Sequence, residues 1–474
     1  MDRIKRNLTS ISTKTWLAII IALGLLARLG AVLIMGDTVE VLPGIYDQIS
    51  YHTLATRLLD GHGFTFNTEW WPVTQAGEPT AHWSYLYTFY LAAVYSLVGV
   101  HPIAARLLQA FWVSILMPLL TFRLAAKLPA SANRRTGRDL LPLIAAAWIA
   151  FYPYFIYYSA ALMTEMFYIT AILWSLELAI SIAWRQGGQP ARGIWRRFAL
   201  LGLALGSAVL LRQVYLAFVP FLLVWILLER KPAITRVEGR DMGKGAVMAG
   251  AVLVVMILPF TLWNYHQFGR LVLLNTNAGY AFFWANHPIQ GDDFIPLLTP
   301  PMPTYQELIP DELRSLDEAA LEKELMRRGV QFALDDPVRY VRLSLSRIDD
   351  HFIFWPKADS SRLSNITRMT SLGVALPFML LGAILWLVYT WDSVEGKFCF
   401  RLGRLLAQPG GLLLLFFLIY VGVHLASWAG IRYRLPADAV MLPFAAYSMT
   451  IILNKLSRHR EILVPECFPG ASGG

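Results

Sequence analysis

Two carboxylates in this sequence fall where a carboxylate could do chemistry. Asp47 opens the segment Asp47-Gln48-Ile49-Ser50-Tyr51-His52-Thr53-Leu54-Ala55-Thr56-Arg57-Leu58-Leu59, in which Tyr51, Leu54, Ala55 and Leu58 recur at helical spacing. An acid at the start of such a helix can cap it or take a proton from a bound hydroxyl, and the sequence leaves both roles open. Glu165 stands in Met163-Thr164-Glu165-Met166, at the turn between two apolar runs with no polar loop to require it. A carboxylate there is either a functional charge at a membrane boundary or a favourable charge at the start of the next helix. Three arginines have the same two-sided character: Arg212 between two apolar runs, and Arg432 and Arg434 in Ile431-Arg432-Tyr433-Arg434-Leu435-Pro436. Each can grip a phosphate with paired hydrogen bonds or snorkel to lipid headgroups. The Tyr-flanked pair before Pro436 is expected to point both guanidiniums at the outer interface, and Arg28 to reach it too. His52, His62 and His82 share a loop with the acids but lack regular ligand spacing, so each reads as a satisfied or exposed histidine. No phosphate-cradling glycine motif occurs, and direct use of a nucleotide is not expected.

These residues hang between long apolar runs. Of 474 residues, 56% are hydrophobic and 15% charged, with a mean hydropathy of +0.49. That describes an all-α polytopic integral membrane protein and excludes a disordered chain, a collagen-like chain and a secreted disulfide scaffold. Sixteen Trp, 20 Tyr and 26 Phe exceed the needs of one core, and such rings collect at membrane interfaces. Cys399 and Cys467 sit in short basic segments, so neither a disulfide nor a cysteine metal cluster is expected. The net charge of +9 is spread in short clusters between apolar runs. A nucleic-acid binder would gather it in one stripe, whereas clusters of this kind encode topology.

Lys and Arg cluster at Arg3/Lys5/Arg6/Lys14, Lys127/Arg134/Arg135/Arg138, Arg185/Arg192/Arg196/Arg197, Arg230/Lys231/Arg236/Arg240/Lys244, Lys397/Arg401/Arg404 and Lys455/Arg458/Arg460. If all are cytoplasmic, the runs between them cross in pairs. The first, Trp16 to Met35, is about 30 Å long as a helix and is read as uncleaved, since no small-x-small site follows it. Further spans are Ile103–Leu128, Leu140–Tyr157, Met166–Trp184, Phe198–Arg212, Val214–Leu228, Ala246–Trp263, Ser371–Trp391, Gly411–Trp428 and Pro436–Leu453, ten in all with both ends cytoplasmic. Residues 84–99, with Tyr85, Tyr87 and Tyr90, read as an interfacial helix along the outer surface; an eleventh span results if they cross instead. The chain then divides into a transmembrane module over 1–263 with a first outer loop at 37–99, a helical outer insert over 264–370, and C-terminal spans with a cytoplasmic tail over 371–474. In the insert, Ser315-Leu316-Asp317-Glu318 reads as a capping box and Asp336-Pro337 as an N-cap with proline at the first helical position. Val338, Val341, Leu345, Ile348 and Phe352 then share a face that packs or lies on the membrane.

An Asp beginning a surface helix after the first span, followed by Leu58-x-x-Gly61-x-Gly63-Phe64 and by Pro79-Thr80-Ala81-His82-Trp83 leading to Tyr85-Leu86-Tyr87, resembles the first outer loop of GT-C glycosyltransferases. The likeness is to the branch of protein O-mannosyltransferases and the lipid A aminoarabinose transferase, the family-39-like enzymes. It continues through Thr164-Glu165, Trp263-Asn264-Tyr265-His266-Gln267-Phe268-Gly269, Asn275-Thr276-Asn277-Ala278-Gly279-Tyr280 and Arg432-Tyr433-Arg434-Leu435-Pro436. The resemblance implies a GT-C fold and transfer of a sugar from a polyprenyl-phosphate donor to a lipid, glycan or protein acceptor, with inversion. It implies Asp47 as general base and Glu165 as the second acid. Substrate contacts would come from Tyr51, His62, His82, Trp83, Tyr85, Arg212, Asn277, Arg432 and Arg434. A divalent ion, magnesium or manganese, would find Asp47 and Glu165 as its candidate ligands. Two departures stand out: Ser84-Tyr85-Leu86-Tyr87 replaces a proline-rich stretch, and no lysine lies between Glu78 and His82, which shifts phosphate recognition to arginines or a metal. The expected setting is a plasma (inner) membrane, the site facing outward among membrane lipids, with no nucleic-acid partner. Competing classes are a flippase or exporter of lipid-linked sugars, disfavoured by the absence of repeated halves, and a non-catalytic scaffold.

Overall fold

The computed structural model describes residues 12–42, 44–128, 140–184, 193–228, 236–393 and 398–462. Outside the described residues lie Cys467 and the topology-setting Arg3, Lys5, Arg6, Arg134, Arg135, Arg138, Arg185, Arg192, Arg230, Lys231 and Lys397. The order is α1 (Thr13–Met35), α2 (Asp47–Leu59), α3 (Tyr85–Val98), α4 (Pro102–Ala125), α5 (Leu140–Phe151), α6 (Pro153–Ala160), α7 (Glu165–Ala183), α8 (Ile194–Leu211) and α9 (Val219–Leu228). Then come α10 (Arg236–Phe268), α11 (Ala278–Asn286), α12 (Glu318–Asp335), α13 (Pro337–His351), α14 (Arg362–Arg368), α15 (Val374–Asp392), α16 (Phe398–Leu406), α17 (Pro409–Ala426) and α18 (Ile431–Ile462). Among the described residues, 8 helices are long and apolar enough to cross a membrane, and the bent pair α5–α6 makes 9. The chain is a multi-pass, all-α membrane protein. Of the ten expected spans, Val214–Leu228 falls short: it is a 3-10 turn, Gln213–Ala217, followed by the 10-residue α9. Residues 84–99 are not among the helices of spanning length either: α3 has 14 residues and is about 21 Å long. Nor does α3 lie free on a surface: it buries Tyr85, Tyr87, Thr88, Leu91, Ala92, Val94 and Tyr95 against α2, α4 and α8.

The last helix is the pillar. Every residue from 434 to 448 is buried, and α4, α5, α7, α15 and α17 all pack on α18. Where α15 crosses it, a Cβ on Gly382 would come within 1.8 Å of the Phe444 carbonyl oxygen, so only glycine permits that approach. Arg28 does not reach the outer interface; it is fully buried between α1 and the α5–α6 bend. The reason is Pro153, which has no N–H for the carbonyl of Ile149 four residues back. Arg28 Nη2 donates to that carbonyl at 3.1 Å, Nη1 to Ala150 O at 2.7 Å, and Nε to Ser159 Oγ at 3.0 Å. A basic side chain thus replaces the hydrogen bonds that the 49° bend removes.

The insert over 264–370 holds its own apolar cluster, with Tyr280, Phe283, Trp284, Tyr305, Ile309, Leu321 and Leu325 at its centre. Its α13 begins as expected, Asp336 accepting from Arg339 N at 2.9 Å. For α12 the expected capping box does not form. Asp317 is the N-cap, accepting from Ala320 N at 2.9 Å, because Ser315 sits two residues too early. Glu318 is thereby released to accept from Thr74 Oγ1 at 3.0 Å, Ala81 N at 2.8 Å and Thr276 Oγ1 at 2.5 Å, latching the first loop to the insert. The apolar row on α13 faces outward, Val338, Val341, Leu345 and Ile348 being exposed. Its opposite face buries Leu343, Arg347 and His351.

Arg28→Met leaves two carbonyls at the bend without donors, and thermal unfolding in detergent should show a loss of about 1–3 kcal/mol; an unchanged midpoint would mean that the bend satisfies itself. Burial lifts the half-buried Glu318 carboxyl above its ordinary 4.5. An acid raised by folding favours the fold most when protonated, so the latch contributes fully below the ordinary value and loses that contribution as pH rises through the elevated one. Glu318→Gln keeps an acceptor for Ala81 N without the charge and should flatten the fall in melting temperature as the pH rises above the ordinary carboxyl value. A slope identical to wild type would assign that fall to other groups.

Candidate active site

Asp47 is fixed from both sides of the chain. Leaving α1, Asp37 accepts from Ile103 N at 2.9 Å and pairs with His101 Nδ1 at 2.8 Å, fastening the loop to the start of α4. One turn on, Arg106 donates Nη1 to Gly36 O at 2.7 Å and Thr38 O at 2.8 Å, and Nη2 to Gln48 Oε1 at 3.2 Å. Gln48 Nε2 returns to Glu40 O at 2.5 Å. The first turn of α2 is therefore anchored at Gln48, beside Asp47, and α2 ends on Gly61 and Gly63, both with positive φ. Asp47 caps nothing: Tyr46 is the N-cap and no side chain caps there. Its carboxylate reaches across the fold, Oδ2 meeting Arg432 Nη1 of the last helix at 2.6 Å.

Glu165 is positioned by Gln109, buried within α4. Gln109 Nε2 donates to Ser159 O at 2.9 Å and Ala161 O at 2.8 Å, while Oε1 accepts from the Tyr87 hydroxyl at 2.8 Å. That grip holds the hairpin leading to Thr164 and Glu165, the first residue of α7. Arg212 caps α8 in extended conformation, and this break aims it inward. It donates Nε to Thr164 Oγ1 at 3.1 Å and forms an ion pair through Nη2 with Glu165 Oε1. Arg432 Nε lies 4.0 Å from the same oxygen. Asp47, Arg432, Glu165 and Arg212 thus alternate in sign along one chain of contacts. Glu165 is only 2% exposed and its Oε2 has no protein partner, while Asp47, Arg432 and Arg212 retain 24%, 22% and 15% side-chain exposure. Burial lowers the pKa of Arg212, but the Glu165 carboxylate more than offsets it and the guanidinium stays above its ordinary value.

Sequence reasoning passed over Tyr433 except as a flank. Its ring carries Arg432 at 4.9 Å and Arg212 at 5.3 Å, its hydroxyl accepts from Arg432 Nη2 at 2.9 Å, and the His424 ring leans on it at 5.3 Å. Arg106, Gln109 and His424 were also hidden inside apolar runs, where an isolated polar residue was the available signal. Of the expected contacts, Tyr51 and Trp83 pack edge to face at 5.6 Å beside Asp47, and His82 packs on Trp83 at 5.2 Å. Burial lifts the Tyr51 phenol, with Asp47 adding to it, and pushes the His82 imidazole down to about 4, so both are neutral at neutral pH. His82 Nδ1 and Trp83 Nε1 are buried without a protein partner. Four expected residues lie elsewhere. Tyr85 turns to α10, its hydroxyl donating to Asn264 Oδ1 at 2.6 Å. His62 is exposed at the end of α2, and the exposed Asn277 accepts from Gln213 Nε2 at 2.9 Å. The buried Asn275 instead serves the site, donating to Ala81 O at 3.0 Å and Trp83 O at 2.8 Å. Arg434 does not face outward with Arg432, because residues two apart on a helix diverge by about 200°. It pairs with Asp438 at 3.0 Å and donates to His351 O at 2.7 Å.

Of the two candidate metal ligands, Asp47 and Glu165, each is engaged by a guanidinium, and among the described residues no group of three or more His, Cys, Asp or Glu is arranged to hold a metal.

No protein-family model matches the chain, and no curated protein matches it. Solved structures do. The archaeal oligosaccharyltransferase AglB from Archaeoglobus fulgidus, in complex with an inhibitory peptide and a dolichol-phosphate, is similar with a TM-score of 0.55 and 15% identity over 97% of this chain and 53% of its own. The oligosaccharyltransferase of the same organism in complex with Zn and sulfate gives a TM-score of 0.52 and 13% identity over 94% and 50%. ArnT from Cupriavidus metallidurans bound to undecaprenyl phosphate matches at 12% identity over 97% and 82%, with a TM-score of 0.40. This chain spans about half the length of AglB, at 53%. At such identities the likeness is one of architecture: over nearly its whole length the chain shares the fold of the membrane part of the archaeal oligosaccharyltransferase that it matches.

Proposed function

We propose that the protein is a membrane glycosyltransferase that moves a sugar from a polyprenyl-phosphate donor to an acceptor hydroxyl at the outer face of a plasma (inner) membrane. The observation that carries this reading is the alternation of Asp47, Arg432, Glu165 and Arg212, four residues drawn from distant parts of the chain. With Oδ2 held by Arg432, Asp47 keeps Oδ1 for the acceptor proton. The acceptor oxygen then bonds to the anomeric carbon as the bond from that carbon to the phosphate oxygen breaks, with inversion, and the lipid phosphate leaves as an anion. Arg212 has Nε and Nη2 on Thr164 and Glu165, and offers Nη1 where that negative charge grows. Glu165 Oε2, with the neutral His82 and Trp83 Nε1, offers unpaired polar atoms for sugar hydroxyls. AglB has been solved with a dolichol-phosphate and a peptide, which supports a lipid-phosphate donor and leaves lipid, glycan and protein acceptors to be compared directly.

The test is release of free polyprenyl phosphate from radiolabelled polyprenyl-phosphate sugars by purified protein. Asp47→Asn should lower turnover by roughly 100-fold or more while donor binding persists. Arg212→Met should weaken donor binding as well. Donor bound by wild type and by Asp47→Asn with no turnover from either would sink the enzyme and favour an exporter of lipid-linked sugars.

A further inference from the structure

We propose that Arg432 takes the place of a divalent cation between Asp47 and Glu165, so that the reaction proposed above runs without a metal ion. Carboxylate oxygens are what magnesium or manganese would choose, and one or two of them with water and a substrate phosphate make up such sites. Asp47 and Glu165 are therefore chemically able to hold such an ion, and what prevents it is already in position. Arg432 Nη1 lies 2.6 Å from Asp47 Oδ2, and its Nε lies 4.0 Å from Glu165 Oε1, so one guanidinium faces both acids. It is not a side chain free to swing away. Its Nη2 is tied to the Tyr433 hydroxyl at 2.9 Å and its Cζ lies over the Tyr433 ring, 4.9 Å from the ring centre. Arg432 also stands at the start of α18, two residues before the stretch buried from 434 to 448.

Charge makes the same point. Two carboxylates and two guanidiniums sum to zero, and Arg212 already pairs with Glu165. A doubly charged ion would enter against both guanidiniums and would have to displace one to reach its ligand oxygens. A planar cation with donors on two edges meets the same electrostatic need, orienting Asp47 while leaving Oδ1 open. Arg432 is thus a positioning residue for the base. The inference rests on the proposed reaction for its second half only, because cation binding can be read with no substrate present.

The experiment is a Mn2+ titration of the full-length protein followed by electron paramagnetic resonance, beside turnover before and after chelation. Wild type is expected to bind no stoichiometric Mn2+ and to keep its turnover within about twofold after chelator treatment. Arg432→Met, which opens the place between the acids, should gain a bound Mn2+ that the added Asp47→Asn change removes; Arg432→Lys, retaining a positive charge, should not gain it. A purely structural arginine would not create a metal site when removed. Stoichiometric Mn2+ in wild type that Asp47→Asn abolishes, or turnover lost to the chelator and restored by Mn2+, would overturn the proposal. So would folded Arg432→Met protein that gains no Mn2+. Should Arg432→Met fail to fold, Arg432→Gln and the wild-type titration decide by the same readings. Wild-type and variant Mn2+ binding as expected, with no turnover on any donor, would leave the cation replacement standing and remove only the proposed reaction.

Discussion

A charge withdrawn from water must find a partner, and in this protein that requirement assembles the site. Glu165, almost fully buried, could not stay ionised alone without a large desolvation cost. Its partner Arg212 comes from a break between helices, and the second cation near it, Arg432, comes from the start of the final helix. Arg432 in turn captures Asp47 from the first loop. Each charge is satisfied only by one far away in sequence, so the first loop, the α6–α7 hairpin, the end of α8 and the start of α18 must all be in place before any of the four is comfortable. The arrangement is neutral as a whole and charged at every point, which suits the proton and the anionic leaving group of the proposed reaction.

The last helix shows how one element separates structure from chemistry by angle alone. Arg432 and Arg434 share a composition, a flanking tyrosine and a proximity to Pro436, yet helical periodicity sends them to different neighbours. Arg432 joins the alternating charges; Arg434 is enclosed by Asp438 one turn along, by the Tyr152–Asp438 hydrogen bond at 2.8 Å and by the carbonyls of His351 and Ile353 at the end of α13. Tyr433, between them, presents its ring to both site arginines and to His424. A ring face accepts cations without neutralising them, so the guanidiniums keep their charge while their positions are held.

Much of this was legible in the sequence, and where it was not the reason is physical. Apolar length located the long helices, but it could not show that the Val214–Leu228 run divides into a 3-10 turn and a 10-residue helix, because the break carries no change in apolar composition. Asp47 and Glu165 were visible because each is an acid at the edge of an apolar pattern. Their cations could be named but not assigned, since pairing residue 47 with residue 432 is a fact of the tertiary fold. Tyr85 looked like a site residue from its neighbours His82 and Trp83, but entry into α3 rotates its side chain toward Asn264. The Ser315 capping box matched its pattern and failed because Asp317 offers a better-placed oxygen, which also freed Glu318 for the loop.

Two sets of polar side chains in this molecule differ in what they serve. Arg28, Arg106, Gln109 and Arg347 donate chiefly to backbone carbonyls left open at bends, hairpins and helix ends: Ile149 and Ala150, Gly36 and Thr38, Ser159 and Ala161, Leu425 and Ala285. They repair backbone that a low-dielectric interior would otherwise penalise. Asp47, Glu165, Arg212 and Arg432 meet mainly one another's side chains, at an opening where three of the four remain partly exposed. A carbonyl cannot leave its donor without cost, but ion pairs between side chains can be exchanged for pairs with an incoming anion or proton donor. The first group therefore has to be rigid and the second has to be exchangeable. It is the second group, supported from behind by the first, that the proposed reaction uses.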